Sequence, residues 1–157
     1  MADYPEKALY GTAQTVIDTA SNVTAGNFSA TTTIFDNTSD AAVPYARWGV
    51  ATLFVNDWGG VPTAGGTVDL YGVLQDVDST SDDTDAPSGS ASNGARWFGN
   101  FLVSGVDALQ RRTIVINMVG VEKVNFYVYN GTAQNMNNDG GTSCVLKVTP
   151  LAVGVVA

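Results

Sequence analysis

From residue 28 onward the sequence repeats one pattern: a run rich in Val, Ile, Phe, Tyr and Thr, closed by Gly, Pro, Asn or Asp. The runs cover 28–35, 45–55, 66–75, 95–106, 111–119, 123–130 and 143–153. β-Branched and aromatic residues suit an extended, half-buried backbone, and the closing residues supply the φ values that tight reversals need. No apolar period of 3.6 residues runs between them. The pattern therefore predicts an all-β chain, an antiparallel β-sandwich of seven or eight strands formed by residues 28–157 as one domain. Residues 1–27 are small, polar and weakly periodic, and read as an extended N-terminal arm or edge segment, with a short strand around 8–17 as the alternative.

Alternation inside the runs assigns their faces. Val124, Phe126 and Val128 fall on one side of their strand, with Asn125, Tyr127 and Tyr129 on the other. Val68, Leu70 and Leu74 share a face, and Asp69, Tyr71, Val73 and Gln75 share the opposite one. The second faces are mixed rather than polar, so they are expected to be covered by another subunit, because free monomers seldom expose large contiguous apolar patches. Asp69 is expected to point away from the core, and Tyr71 is a candidate interface residue on the same ground.

Composition narrows what such a domain does. The chain is 45% apolar but only 14% charged, against roughly 25% charged in an ordinary soluble domain. It has few charges with which to finish a free surface. The net charge of −8 and a single adjacent pair of cations, Arg111 and Arg112, argue against a nucleic-acid partner, which requires clustered Lys and Arg. No stretch approaches the ~18 apolar residues of a membrane span, and the N-terminus lacks the apolar core of a signal peptide. The expectation is a protein made in a cytoplasm, with no membrane partner.

The absence of histidine removes the commonest general base and every Ser-His or Cys-His nucleophile pair. The chain is expected not to be an enzyme and to need no cofactor. Asp76, Asp78, Asp82, Asp83 and Asp85 form the one candidate metal cluster, since calcium takes several carboxylate oxygens from a loop. Their spacing fails the EF-hand template: the twelfth position from Asp76 is Pro87 rather than Glu. A solvated acidic loop is the preferred reading. The glycines of "GGVPTAGG" (59–66) are followed by a strand and no Lys, which makes a phosphate loop a poor reading. Cys144, inside the apolar run "SCVLKV", reads as a buried structural thiol.

Four residues are the candidate interface positions. Trp58 stands at a strand end beside the Gly-rich turn, and Tyr71 lies on a mixed strand face; Leu151 and Val153 belong to the apolar C-terminal stretch "TPLAVGVVA". Trp48 and Trp97, which lie within strand patterns, are expected to pack inside.

The segment "PTAGGTVDLYGVL" (62–74) resembles a stretch found in small β-proteins encoded among the virion structural genes of tailed bacteriophages. The similarity continues through an acidic polar loop, the "NFLV" strand (100–103), the strand after the Arg pair and the "VNFYVYN" strand (124–130), covering roughly 45–130. Its motifs are turn-and-strand chemistry rather than a catalytic signature. The resemblance implies a β-sandwich, with a jelly roll as one form of it. It also implies a capsid cement or decoration protein that binds the outside of the shell across neighbouring major capsid proteins, without enzymatic activity, as a homo-oligomer with trimers favoured. A tail or fibre component of the same virion and a calcium- or glycan-binding sandwich module are the alternatives. On the cement reading, the arm at 1–27 and the tail at 150–157 are expected to reach onto neighbours.

Overall fold

The computed structural model describes residues 6–30, 33–75, 85–137 and 141–155. Every regular element among them is a strand: β1 (Glu6–Tyr10), β2 (Gln14–Thr19), β3 (Phe35–Asp36), β4 (Trp48–Val55), β5 (Asp57–Trp58), β6 (Thr67–Leu74), β7 (Arg96–Leu102), β8 (Gln110–Asn117), β9 (Lys123–Asn130), β10 (Met136–Asn137) and β11 (Cys144–Val155). β3, β5 and β10 are two-residue pairings that escape any reading by periodicity. The longer strands match the turn-bounded runs.

Two antiparallel sheets make the all-β sandwich. In one, β4 lies between β8 and β11, and both β1 and β2 pair with the far side of β11; the other runs β3-β9-β6-β7. Alternation selects the core. Along β4, Gly49, Ala51, Leu53 and Val55 are buried while the residues between them are not. Leu53, Ile116, Leu146 and Val148 of the first sheet pack in one cluster with Phe35, Leu70, Phe101 and Phe126 of the second. Each such side chain contributes roughly 1.5–3 kcal/mol by leaving water. The rings interlock edge to face, Phe126 lying 5.9 Å from Phe35 and 5.2 Å from Phe98.

Side chains rather than continuous ladders close the two seams where the sheets meet. On one side, Thr33 N–H donates to Val16 O, and the Gln14 amide bonds both the N–H and the C=O of Asp36, at 3.1 and 2.8 Å. On the other side, Arg112 Nε donates to Leu102 O at 2.7 Å, and the Arg96 guanidinium reaches the carbonyls of Asn117 and Val119. These bonds satisfy edge carbonyls of β7 and of the end of β8 without strand pairing, which removes exposed edges. The Arg pair read from the sequence thus divides its work: Arg112 closes a seam, and Arg111 stays on the surface.

The N-terminal segment is not a detachable arm. Val16 and Ile17 of β2 are fully buried in the central cluster. β1 and β2 lie end to end along β11, with Tyr10 opposite Leu151 and Gln14 opposite Val148. Gly11 N–H bonds Pro150 O across the break between them. Pro150 is tolerated in a central strand because it falls at that break, where its missing N–H leaves no ladder bond unmade. The register also shifts between Leu146 and Lys147, so two successive apolar residues, Val16 and Ile17, both face inward. That irregularity hid β2 from a reading based on strict alternation.

The turn at "VPTAGG" is a connection between strands. Gly66 N–H bonds Thr63 O at 3.0 Å, and Gly65 has φ +81°, the conformation a type II turn demands at its third position. The mixed face of β6 and β9 is covered, but by the chain itself: Phe28 lies 5.3 Å from Tyr71 and 5.0 Å from Tyr129. Backbone bonds from Phe28 to Gly89 O and from Ser29 to Val128 O hold it there.

Candidate interaction surface

The outer face of the five-stranded sheet has no such cover among the described residues. Register places Tyr10, Leu151, Trp48 and Asn117 in one row across four strands, about 4.8 Å apart from strand to strand. The next row is Thr149, Val50 and Val115. Val153 stands two residues beyond Leu151 on the same face. Tyr10 is 64% exposed, Trp48 43% and Val153 60%, so aromatic and branched side chains form a contiguous patch at one end of the sheet.

Two features extend this patch. β11 runs past the start of β4, so residues 152–155 and β1 project as a two-stranded ribbon, an arrangement with marginal stability on its own in water. Because Gly11 N–H bonds to β11, antiparallel alternation turns the N–H and C=O of Tyr10 and Ala8 away from it. No described residue bonds that edge. Beside the ribbon, a groove of about 430 Å³ is lined by Pro44, Tyr45, Arg47, Trp48 and Val153 among others.

Tyr45 is 65% exposed and has φ +54°, a left-handed backbone that costs a bulky residue on the order of 1 kcal/mol. Bonds on both flanks hold it: Tyr45 N–H donates to Asn37 O, and the buried Asn37 Nδ2 donates to Ala46 O and Val121 O at 3.0 and 2.8 Å. Tyr, Trp and Arg are the residue types that dominate binding energy at protein interfaces, and here Tyr45, Arg47 and Trp48 line one groove.

The candidate residues fare unequally. Leu151 and Val153 belong to the patch. Trp58, by contrast, is 2% exposed in the central cluster, paired through β5 to Met136. It anchors the core because the two-residue ribbon folds the "NDWGG" turn back over the sandwich end. Tyr71 is half-buried, with the Phe28 ring packed edge-on against it. Trp48 and Trp97 are exposed rather than internal. For Trp48 the signal was present: it shares a face with Thr52, which marks the outer side, while the smaller Gly49 and Ala51 mark the inner one. For Trp97 the register shift between Leu70 and Tyr71 in the β6–β7 pairing spoils the count.

Of the acidic cluster, Asp76, Asp78, Asp82 and Asp83 lie outside the described residues, and Asp85 is exposed. No group of three or more metal-ligating side chains occurs among the described residues. Asp69 sits half-buried on the outer face of β6, beside Tyr71. Burial raises its carboxyl pKa above the ordinary value, against the opposing hydrogen bond from the Thr67 side chain. The folded state therefore binds the proton more tightly than the unfolded chain, and stability falls as pH rises through that window. Asp69→Asn is expected to raise the urea midpoint at neutral pH and to flatten its dependence on pH above the ordinary carboxylate value. An unchanged slope contradicts this account of Asp69.

Cys144 is fully buried in the core, and burial pushes its thiol up to about 12, with Asp18 adding to the shift. Thiolate is the reactive form, so the native protein is expected not to react with a disulfide reagent at pH 8, while the urea-unfolded chain reacts with one equivalent. Fast reaction of the folded protein contradicts the assignment. Comparison with protein-family models, curated proteins and solved structures finds no match to this chain.

Proposed function

We propose that the protein is a structural virion component of the cement type, which binds the outside of a phage capsid and bridges neighbouring major capsid subunits, without enzymatic activity. The observation that carries this reading is the uncovered row Tyr10–Leu151–Trp48 on the outer sheet face, with Val153 and the groove at Tyr45 beside it. A chain that packs its own Phe28 on one mixed sheet face and leaves the other without cover among the described residues has a surface suited to a partner. The resemblance carried by "PTAGGTVDLYGVL" supplies the partner's identity.

The projecting ribbon supplies the mode of contact. Its open edge takes an added strand through main-chain bonds, while the apolar face adds burial at roughly 25 cal/mol per Å². One sheet order reads β2-β11-β4-β8 and the other β3-β9-β6-β7. These are the orders of two interleaved Greek keys, so the sandwich is proposed to be a jelly roll. Copies are proposed to group as trimers on the shell, where repeated modest contacts act together.

The test is to locate the protein in particles and to add it to shells that lack it. Antibody label on heads, and a higher rupture temperature of shells after addition of the purified chain, are the expected results. Label confined to tails, or shells that neither bind the chain nor gain stability from it, overturn the proposal.

A further inference from the structure

The far end of the same sheet face carries different chemistry. There the outer row is Asp18, Val145, Phe54 and Arg111, with Lys147 on the neighbouring row. Arg111 Cζ lies 5.3 Å and Lys147 Nζ 5.9 Å from the centroid of the Phe54 ring. Neither cation ion-pairs with a described carboxylate. Lys147 lines a groove of about 410 Å³ together with Phe54, Leu109 and Val145, with Asn56 and Thr142 at its polar rim, and Arg111 stands beside it on the Phe54 ring. In a chain of net charge −8, with only seven Lys and Arg, two cations held on one half-buried ring without a described acid partner mark a place for carboxylates from outside.

The chain supplies such a segment. Residues 76–85, "DVDSTSDDTD", hold five of its fifteen acids. Asp76 and Asp78 flank Val77, and carboxylates two residues apart on an extended backbone stand about 7 Å apart on one side, a span suited to two cations placed on one ring. We propose that the groove at Phe54, Arg111 and Lys147 binds residues 76–85 of a second copy of this chain.

The contact is assigned between copies because the described residues on either side of the segment sit on the four-stranded sheet, Gln75 through Lys123 and Gly89 through Phe28. Gln75, whose N–H bonds Lys123 O, directly follows the end of β6 in the four-stranded sheet. That is the end Asn37 ties to the start of β4, whereas the groove lies at the other end of β4, on the opposite sheet. Different surfaces meet, so the contact closes as a reciprocal two-fold exchange or a larger ring, or extends as a chain. It is independent of whether the shell is the partner of the Trp48 end, and its test requires no shell.

That test is sedimentation of the full chain and two variants. One removes the acceptor cations (R111Q/K147Q), and the other removes the donor acids (D76S/D78S/D82S/D83S/D85S). The wild type is expected to self-associate at high protein concentration, and more weakly as salt is raised. Each variant alone is expected to associate at least tenfold more weakly. An equimolar mixture of the two is expected to form a one-to-one complex, because each retains the half the other lacks. The donor variant is the sharper arm: loss of five negative charges lowers general repulsion between copies, so weaker association of that variant cannot come from net charge. Circular dichroism and melting temperatures matching wild type show that both variants fold. A wild-type chain that stays monomeric, variants that associate as well as it does, or a mixture that forms no complex overturns the proposal.

Discussion

A chain lacking residues 1–20 is expected not to fold cooperatively, whereas one lacking only residues 1–10 is expected to do so. This is the largest effect the structure predicts, and it rests on where the two N-terminal strands send their side chains. β2 buries Val16 and Ile17 completely, at roughly 1.5–3 kcal/mol each, and Gln14 closes one seam of the sandwich on the Asp36 backbone. Removing it also bares the edge of β11 beside Leu146 and Val148. The combined loss is comparable with the 5–15 kcal/mol that holds an ordinary domain together. β1 exposes Lys7, Ala8, Leu9 and Tyr10, so its removal is expected to leave the core intact and to take away part of the proposed docking patch. Urea unfolding followed by tryptophan fluorescence separates the two deletions. A 21–157 chain with a sharp transition near the full-length midpoint contradicts the account of β2, and an 11–157 chain that binds shells as tightly as the full chain contradicts the role given to β1.

The second large effect separates two tryptophans. Trp58→Ala is expected to cost about 3–5 kcal/mol of stability, the range for truncating a large buried aromatic. Trp58→Phe is expected to cost far less, because the buried indole N–H has no acceptor among the described residues and its removal forfeits no bond. Trp48→Ala is expected to change stability by about 1 kcal/mol or less while weakening shell binding by at least about 30-fold, equivalent to a hot-spot loss of about 2 kcal/mol. The measurements are a denaturant melt and a shell-binding isotherm for each variant. The reverse assignment, with Trp58→Ala stable but non-binding, returns Trp58 to the surface.

The same contrast shows what the sequence reveals and where it stops. The all-β class and the long strands follow from residue type and period, because a half-buried sheet imposes alternation along each strand. The inner face of β4 is visible in the order Gly49, Ala51, Leu53, Val55 against Trp48, Val50, Thr52, Phe54. Local irregularities break the reading. The register shift opposite Leu146 sends Val16 and Ile17 inward together, so β2 resembles a polar arm. The shift opposite Leu70 brings Trp97 to the surface. Two-residue pairings such as β5–β10 carry no period at all, and one of them buries Trp58. The C-terminal stretch read as reaching onto neighbours pairs, through residue 155, with β1 of its own chain. Tyr10 and Tyr45 were not legible, because their place depends on pairing and on a strained φ rather than on neighbours in sequence.

The central claim is that the Trp48 end of the five-stranded sheet faces the shell and the four-stranded sheet faces away. The chain's one native thiol is buried, so an introduced cysteine reports alone. Val153→Cys places a thiol on the patch, and Asn100→Cys places one on the outer face of the other sheet, in the row of Asp69. Rates of thiol labelling, measured for each variant free and bound to shells, give the most direct test. The account predicts at least a tenfold slowing at position 153 and less than a twofold change at position 100; protection at 100 with free labelling at 153 contradicts it.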